Sequence, residues 1–175
     1  VTPDLSEIQG EWFYWYFKLS NIAGRKLTIK FNIENQFTSF GPAFSINDNR
    51  HWEWYGGNRV NNNSFTISFA KEDTTAYFCT AIPYTEVQFN EFINKLANVH
   101  TIETQILTTT QEGRAVEALL IPSINSEPSA RVLLTARHHA CEMMASYVME
   151  GIIESLLNDP ELEILREQVE FMIIP

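Results

Sequence analysis

Across residues 26–33 apolar and polar positions alternate. Leu27, Ile29, Phe31 and Ile33 fall on one face, and Lys26, Thr28, Lys30 and Asn32 on the other. Period two over that length predicts a strand with one buried face. Residues 64–69 repeat the pattern with Phe65, Ile67 and Phe69. Gly24-Arg25, Gly41-Pro42, Gly56-Gly57 and Asn61-Asn62-Asn63 separate these runs with turn-forming residues. Several short strands at such spacing predict an antiparallel β-sandwich. The aromatic block at residues 12–17 has two readings: a stacking platform for sugars or bases, or a strand packed on both faces. The second reading fits the large residues a sandwich core needs. The same pair of readings applies to residues 48–55, which hold His51, Trp52 and Trp54.

The second half changes rhythm. Thr85 with Gln88 three residues later forms a capping box, and Phe89, Phe92, Ile93 and Leu96 follow at helical spacing. A helix over 85–97 follows from this. Strands are predicted over 101–109 and 115–121, and the apolar run 131–135 reads as a buried parallel strand. Residues 143–157 form a predicted helix with an apolar stripe of Met144, Val148, Met149, Ile152, Ile153 and Leu156. Asp159 can cap a further short helix begun by Pro160. Residues 169–174 read as one more buried strand. Apolar strands alternating with helices begin an α/β layer.

Charge divides at the same place. Residues 1–88 hold nine acidic and seven basic side chains, against thirteen and five in residues 89–175. The fold expected is therefore an α+β chain in two parts: an antiparallel β-sandwich domain over residues 1–84, then the beginning of an α/β domain over 85–175. A hydrophobic content of 45% excludes a disordered chain, and a net charge of -10 argues against gripping nucleic-acid phosphates. No apolar run reaches the roughly 18 residues of a membrane span. Cys79 and Cys141 are the only cysteines, which gives no disulfide framework and points to a reducing, cytoplasmic compartment. The start at Val1 is no signal peptide, and its lack of an initiator Met implies trimming.

No phosphate-binding glycine loop, Cys-pair zinc knuckle or His-Glu-x-x-His occurs. A His and a Glu three residues apart occur twice, at His100/Glu103 and at His139/Glu142. The spacing is common, so context must choose between them. His100 and Glu103 open a predicted strand, where residues three apart face opposite sides, so they cannot share an ion. His139 follows the end of the strand predicted at 131–135, and Glu142 falls in the first turn of the next helix. Open α/β sheets form their sites at the carboxyl ends of strands. Imidazole nitrogen with carboxylate oxygen is ordinary catalytic zinc chemistry, with a position left for water. The alternative is a capping Glu beside a loop His.

The string Ala136-Arg137-His138-His139-Ala140-Cys141-Glu142, with Ser146-Tyr147-Val148-Met149-Glu150-Gly151 after it, resembles the first zinc-binding segment of the zinc metallocarboxypeptidases. It is most similar to their cytosolic carboxypeptidase branch. That branch also has an amino-terminal β-sandwich ending in a segment similar to residues 76–85, and residues 108–121, with Gly113-Arg114, resemble the first hairpin of its catalytic domain. The resemblance implies zinc held by His139 and Glu142, and a zinc-bound water attacking a C-terminal peptide bond of a peptide or protein substrate. It also implies a role for Arg137 in orienting or polarising that substrate.

Two departures qualify the match. The branch reads His-Pro-Gly-Glu where this chain has Ala140-Cys141 between the ligands, and Cys141 reads as a small buried filler. His138 reads as a loop residue or as a neighbour orienting the ligands. The third ligand, a His, and the general base, a Glu, are not recognisable after Glu142. The expectation is an amino-terminal part of a metallocarboxypeptidase, inactive alone, that self-associates or needs a second polypeptide to complete the catalytic domain. A non-catalytic binding or folding module dominated by the sandwich is the competing reading, and a carbohydrate-binding sandwich a third.

Overall fold

The computed structural model describes residues 1, 14–97, 102–139 and 141–175. The chain divides into two compact units, Val1–Pro83 and Tyr84–Pro175.

Among the described residues the first unit has six strands: β1 (Tyr16–Ser20), β2 (Lys26–Lys30), β3 (Ala43–Ile46), β4 (Glu53–Trp54), β5 (Ser64–Ser68) and β6 (Thr75–Cys79). They form an antiparallel sheet in the order β1-β6-β3-β4 and an antiparallel β2-β5 pair. The alternation in the sequence sets what is buried. Ile29 of β2 with Phe31 just beyond it, and Phe65 and Ile67 of β5 with Phe69 just beyond it, meet Phe78 and Trp15 in one core. Phe65 is 2% exposed, and its ring centroid lies 5.2 Å from Tyr55 and 5.3 Å from Phe78. The polar ends of the large rings are satisfied: Trp15 Nε1–H donates to the Gln36 carbonyl at 3.0 Å, and the Tyr55 hydroxyl to the Thr66 carbonyl at 2.5 Å.

Two expectations for this unit need correction. β2 ends at Lys30, and Ile33 is exposed rather than on the buried face. The chain turns there, with Asn35 in the left-handed region at φ 59° and its N–H on the Asn62 carbonyl. Residues 48–55 are mostly turn, and only Glu53–Trp54 is extended. Asp48 imposes the turn. Its carboxylate accepts from the Ser45 hydroxyl at 2.9 Å and from the Arg50 and His51 N–H groups at 2.9 and 3.1 Å, and pairs with His51 Nδ1. Those bonds, the His51 contact foremost, hold the Asp48 carboxyl well below the usual carboxylate range. Of the aromatic block, Trp15 is buried, while Trp12 and Phe13 lie outside the described residues.

The second unit runs α1 (Glu86–Ala97), β7 (Glu103–Thr109), β8 (Ala115–Ile121), β9 (Ala130–Thr135), α2 (Met143–Asn158), α3 (Glu163–Gln168) and β10 (Val169–Ile174). The capping box forms: the Val87 N–H donates to Thr85 Oγ1 at 3.3 Å and the Thr85 N–H to Gln88 Oε1 at 2.9 Å. Asp159 likewise accepts the Glu161 N–H at 2.9 Å where Pro160 starts a 3-10 turn. The sheet order is β7-β8-β10-β9; β8 pairs antiparallel with β7 and β10, and β9 parallel with β10.

β9 is parallel as expected but not buried. It is an edge strand with Arg131, Leu133 and Thr135 on an exposed face, Leu133 being 60% exposed. The stripe expected on α2 is also displaced. The helix buries Met143, Ser146, Met149, Ile153, Leu156 and Leu157, and leaves Met144, Val148 and Ile152 exposed. Two neighbouring rows of this helix are apolar, so periodicity cannot say which one faces the sheet.

Candidate metal centre

The backbone between β9 and α2 folds in three steps. Ala136 extends the ladder by donating its N–H to the Ile174 carbonyl at 3.0 Å. Arg137 then takes a left-handed conformation at φ 56°, which redirects the chain out of the sheet. Finally His139 and Glu142 close a turn on each other. The Glu142 N–H donates to the His139 carbonyl at 3.0 Å, and Glu142 Oε2 accepts the His139 N–H at 2.9 Å. Glu142 immediately precedes α2 at its N-cap position, rather than standing within its first turn. A carboxylate there is favoured by the partial positive charge of the helix N-terminus.

Both residues are exposed, at the carboxyl end of the parallel strand β9. Their donor types, an imidazole nitrogen and a carboxylate oxygen, suit zinc. Among the described residues, no group of three or more His, Cys, Asp and Glu could hold a metal ion. The pair therefore fits as part of a zinc site, with further donors needed. His100, the first of the other His-x-x-Glu pair, lies outside the described residues. Cys141 is a free, half-buried thiol, and His138 Nε2 lies 3.4 Å from Thr135 Oγ1 in the loop.

Arg137 does not project freely. It is half-buried, and its Nη1 donates to the Tyr84 carbonyl at 2.5 Å. Tyr84 is buried at 4% exposure, and its hydroxyl donates to Glu150 Oε1 on α2 at 2.9 Å. Its ring meets that of Tyr147 edge-on at 5.0 Å. Burial, then the Glu150 carboxylate, pushes the Tyr84 hydroxyl above its ordinary value. Burial also raises Glu150, against the opposing effect of the Tyr84 bond, with Glu154 adding to the rise. Sequence reasoning gave no role to Tyr84 or Glu150. Nothing local could: Arg137 and Tyr84 are separated by 53 residues, Tyr84 and Glu150 by 66.

The fold and this turn place a two-donor motif at the carboxyl end of a parallel strand, where open α/β sheets form their sites. Residues 89–175 match the zinc carboxypeptidase family model. Over 197 residues the chain is 28% identical to cytosolic carboxypeptidase 6 of Caenorhabditis elegans, covering 100% of this chain and 43% of the relative. An uncharacterised protein of Zymomonas mobilis is 24% identical over 98% of this chain and 46% of its own length. The crystal structure of a metallo-carboxypeptidase from Burkholderia cenocepacia superposes with a TM-score of 0.72 at 22% identity, over 93% of this chain and 45% of that one. That likeness concerns the fold. The chain spans under half the length of these relatives.

Proposed function

We propose that the full-length protein is a zinc-dependent metallocarboxypeptidase that hydrolyses C-terminal peptide bonds of peptides or proteins. The observation that carries this reading is the His139–Glu142 turn lying inside the segment that matches the zinc carboxypeptidase family. His139 would give the ion an imidazole nitrogen and Glu142 a carboxylate oxygen. Zinc, when bound, activates a water for attack on the peptide carbonyl. Glu142 Oε2, already holding the His139 N–H, keeps the two ligands in one turn while its carboxylate serves the metal. A third ligand and a general base would come from parts of the protein outside residues 1–175.

In this reading residues 1–84 form a small β-sandwich domain and 85–175 the first part of the catalytic domain. The shared core of the two antiparallel sheets supports the first assignment. Exposed Leu133, Val148 and Ile152 support completion of the second unit by further polypeptide or by self-association. A cytoplasmic location belongs to the same proposal; it rests on a sequence with two cysteines, too few for a disulfide framework, and on relatives that are named cytosolic. Among the described residues, no helix is long and apolar enough to cross a membrane.

The test is release of C-terminal amino acids by the chain joined to its natural continuation, with zinc present. Activity lost in His139→Ala together with bound zinc supports the proposal. Peptides left intact by the wild type, with metal content unchanged in the variant, sink it. The second reading, that residues 1–175 alone act as a non-catalytic binding or folding module, rests on the absence of a three-donor group among the described residues. Submicromolar zinc binding by the isolated chain, as a monomer, contradicts it.

A further inference from the structure

Arg137, Tyr84 and Glu150 form a chain of hydrogen bonds running from the turn at the end of β9 to the middle of α2. The guanidinium donates to the Tyr84 carbonyl, and the Tyr84 hydroxyl donates to the Glu150 carboxylate. Tyr84 is the residue just before Thr85, whose capping box starts α1. One residue thus joins three pieces of the unit: the start of α1, the loop after β9, and α2. Lys95 of α1, paired with Glu154 of α2 at 3.2 Å, ties the two helices again about one turn further along α2.

The backbone at Arg137 gives this brace a purpose. A non-glycine residue in the left-handed region persists where surrounding contacts over-determine it. The Ala136 N–H on the Ile174 carbonyl fixes one side of Arg137, and its guanidinium on a buried tyrosine fixes the other. The His139–Glu142 turn begins two residues later. Resting on the proposed zinc site, we infer that Arg137 is a positioning residue for the metal ligands. Its side chain is committed to the Tyr84 carbonyl and holds the loop in which His139 and Glu142 face the same ion, while Tyr84 transmits the rigidity of α2 through Glu150. This differs from the substrate-orienting role that the family resemblance implied for Arg137. The side chain acts on the ligands through the backbone.

The test uses the chain joined to its natural continuation, with Arg137→Ala, Arg137→Lys and Ile121→Ala. The two Arg137 variants share the backbone preference of an ordinary L residue, so their difference isolates the side chain. Ile121→Ala removes apolar mass from the core of the same unit and serves as the purely structural control. Two readouts are taken: hydrogen exchange at the His139 and Glu142 amides without metal, and zinc affinity by titration with zinc salt. In Arg137→Ala exchange at both amides accelerates about tenfold, and zinc binding weakens about 10-fold or more, the usual loss when a residue supporting metal ligands is removed. Arg137→Lys keeps one donor and recovers most of both effects. Ile121→Ala lowers stability and leaves both amides as they were.

Unchanged exchange in Arg137→Ala, or equal acceleration in Ile121→Ala, overturns the inference. A wild type that ignores zinc while exchange responds as described defeats the metal assignment and leaves the brace standing. Equal zinc affinity in wild type and Arg137→Ala overturns the positioning role and leaves the metal assignment intact.

Discussion

Arg137 sits at φ 56°, so replacing it by glycine and by alanine separates two effects that a single substitution would mix. Either change removes the hydrogen bond to Tyr84. A bond from a charged group contributes about 1.5–3 kcal/mol, and half-burial of Arg137 puts its loss near the lower end, about 1.5 kcal/mol. Alanine keeps the steric cost of the left-handed conformation, which is about 1–2 kcal/mol for an L residue. Glycine is free of that cost, but it gives the unfolded chain more freedom and so loses about 0.4–1 kcal/mol. The relief of steric strain outweighs that loss. Arg137→Gly is therefore expected to be more stable than Arg137→Ala by about 0.5–1 kcal/mol, with both below the wild type.

Among the described residues the α-helices lie in the second unit, so the helical signal of far-UV circular dichroism in a urea series follows that unit. For a unit of this size about 1 kcal/mol corresponds to roughly 4–8 °C in Tm. The expected gap between the two variants is thus a few degrees. A glycine variant no more stable than the alanine variant would refute the backbone argument.

Phe65→Ala is expected to cost the first unit about 3–5 kcal/mol, because a fully buried ring in contact with Tyr55 and Phe78 is lost. All four tryptophans fall in the first unit, so their fluorescence reports it, and a loss under about 1 kcal/mol would contradict the packing described. Ser146 is buried with its hydroxyl unpartnered, so Ser146→Ala should be neutral or stabilise by up to about 1 kcal/mol; clear destabilisation in the same urea series would show a missing partner for it. Glu150 has its folded pKa raised above the unfolded value, chiefly by burial. Its contribution to stability is fully present below the ordinary glutamate value and is lost as pH rises through the raised one. Glu150→Gln should flatten that fall in stability above about pH 4, and an unchanged pH profile by urea titration would contradict the shift.

The parts of the fold that read correctly from sequence are those fixed by neighbours a few residues apart. Thr85 and Gln88 cap α1 through side chains that reach only one turn, and Asp159 with Pro160 starts its 3-10 turn in the same way. β8 was legible because Gly113 closes a hairpin at its start, with its N–H on the Thr110 carbonyl. The errors arise where distant partners decide. Leu133 looks like a buried residue by type, yet its strand is at a sheet edge. Met144, Val148 and Ile152 are as apolar as the row that α2 buries, and only the packing partner selects between the rows. The candidate site divides the same way. His139 and Glu142 are three residues apart and close a local turn, so the pair is visible in sequence, although the same spacing also offers His100 and Glu103. The Arg137–Tyr84–Glu150 brace joins three distant stretches and left no periodic trace.

The sheet order also sets a schedule. β9 has β10 as its ladder partner, and the paired residues are 39 positions apart, with α2 and α3 made between them. The β7-β8 hairpin can zip as soon as its turn forms, whereas β9 must wait until β10 slots in beside β8. The Ala136–Ile174 bond that launches the His139–Glu142 turn comes at the close of that step. In time, then, the His139–Glu142 turn is expected among the last features to settle, and refolding experiments should see helix signal return before the environment of His139 becomes native.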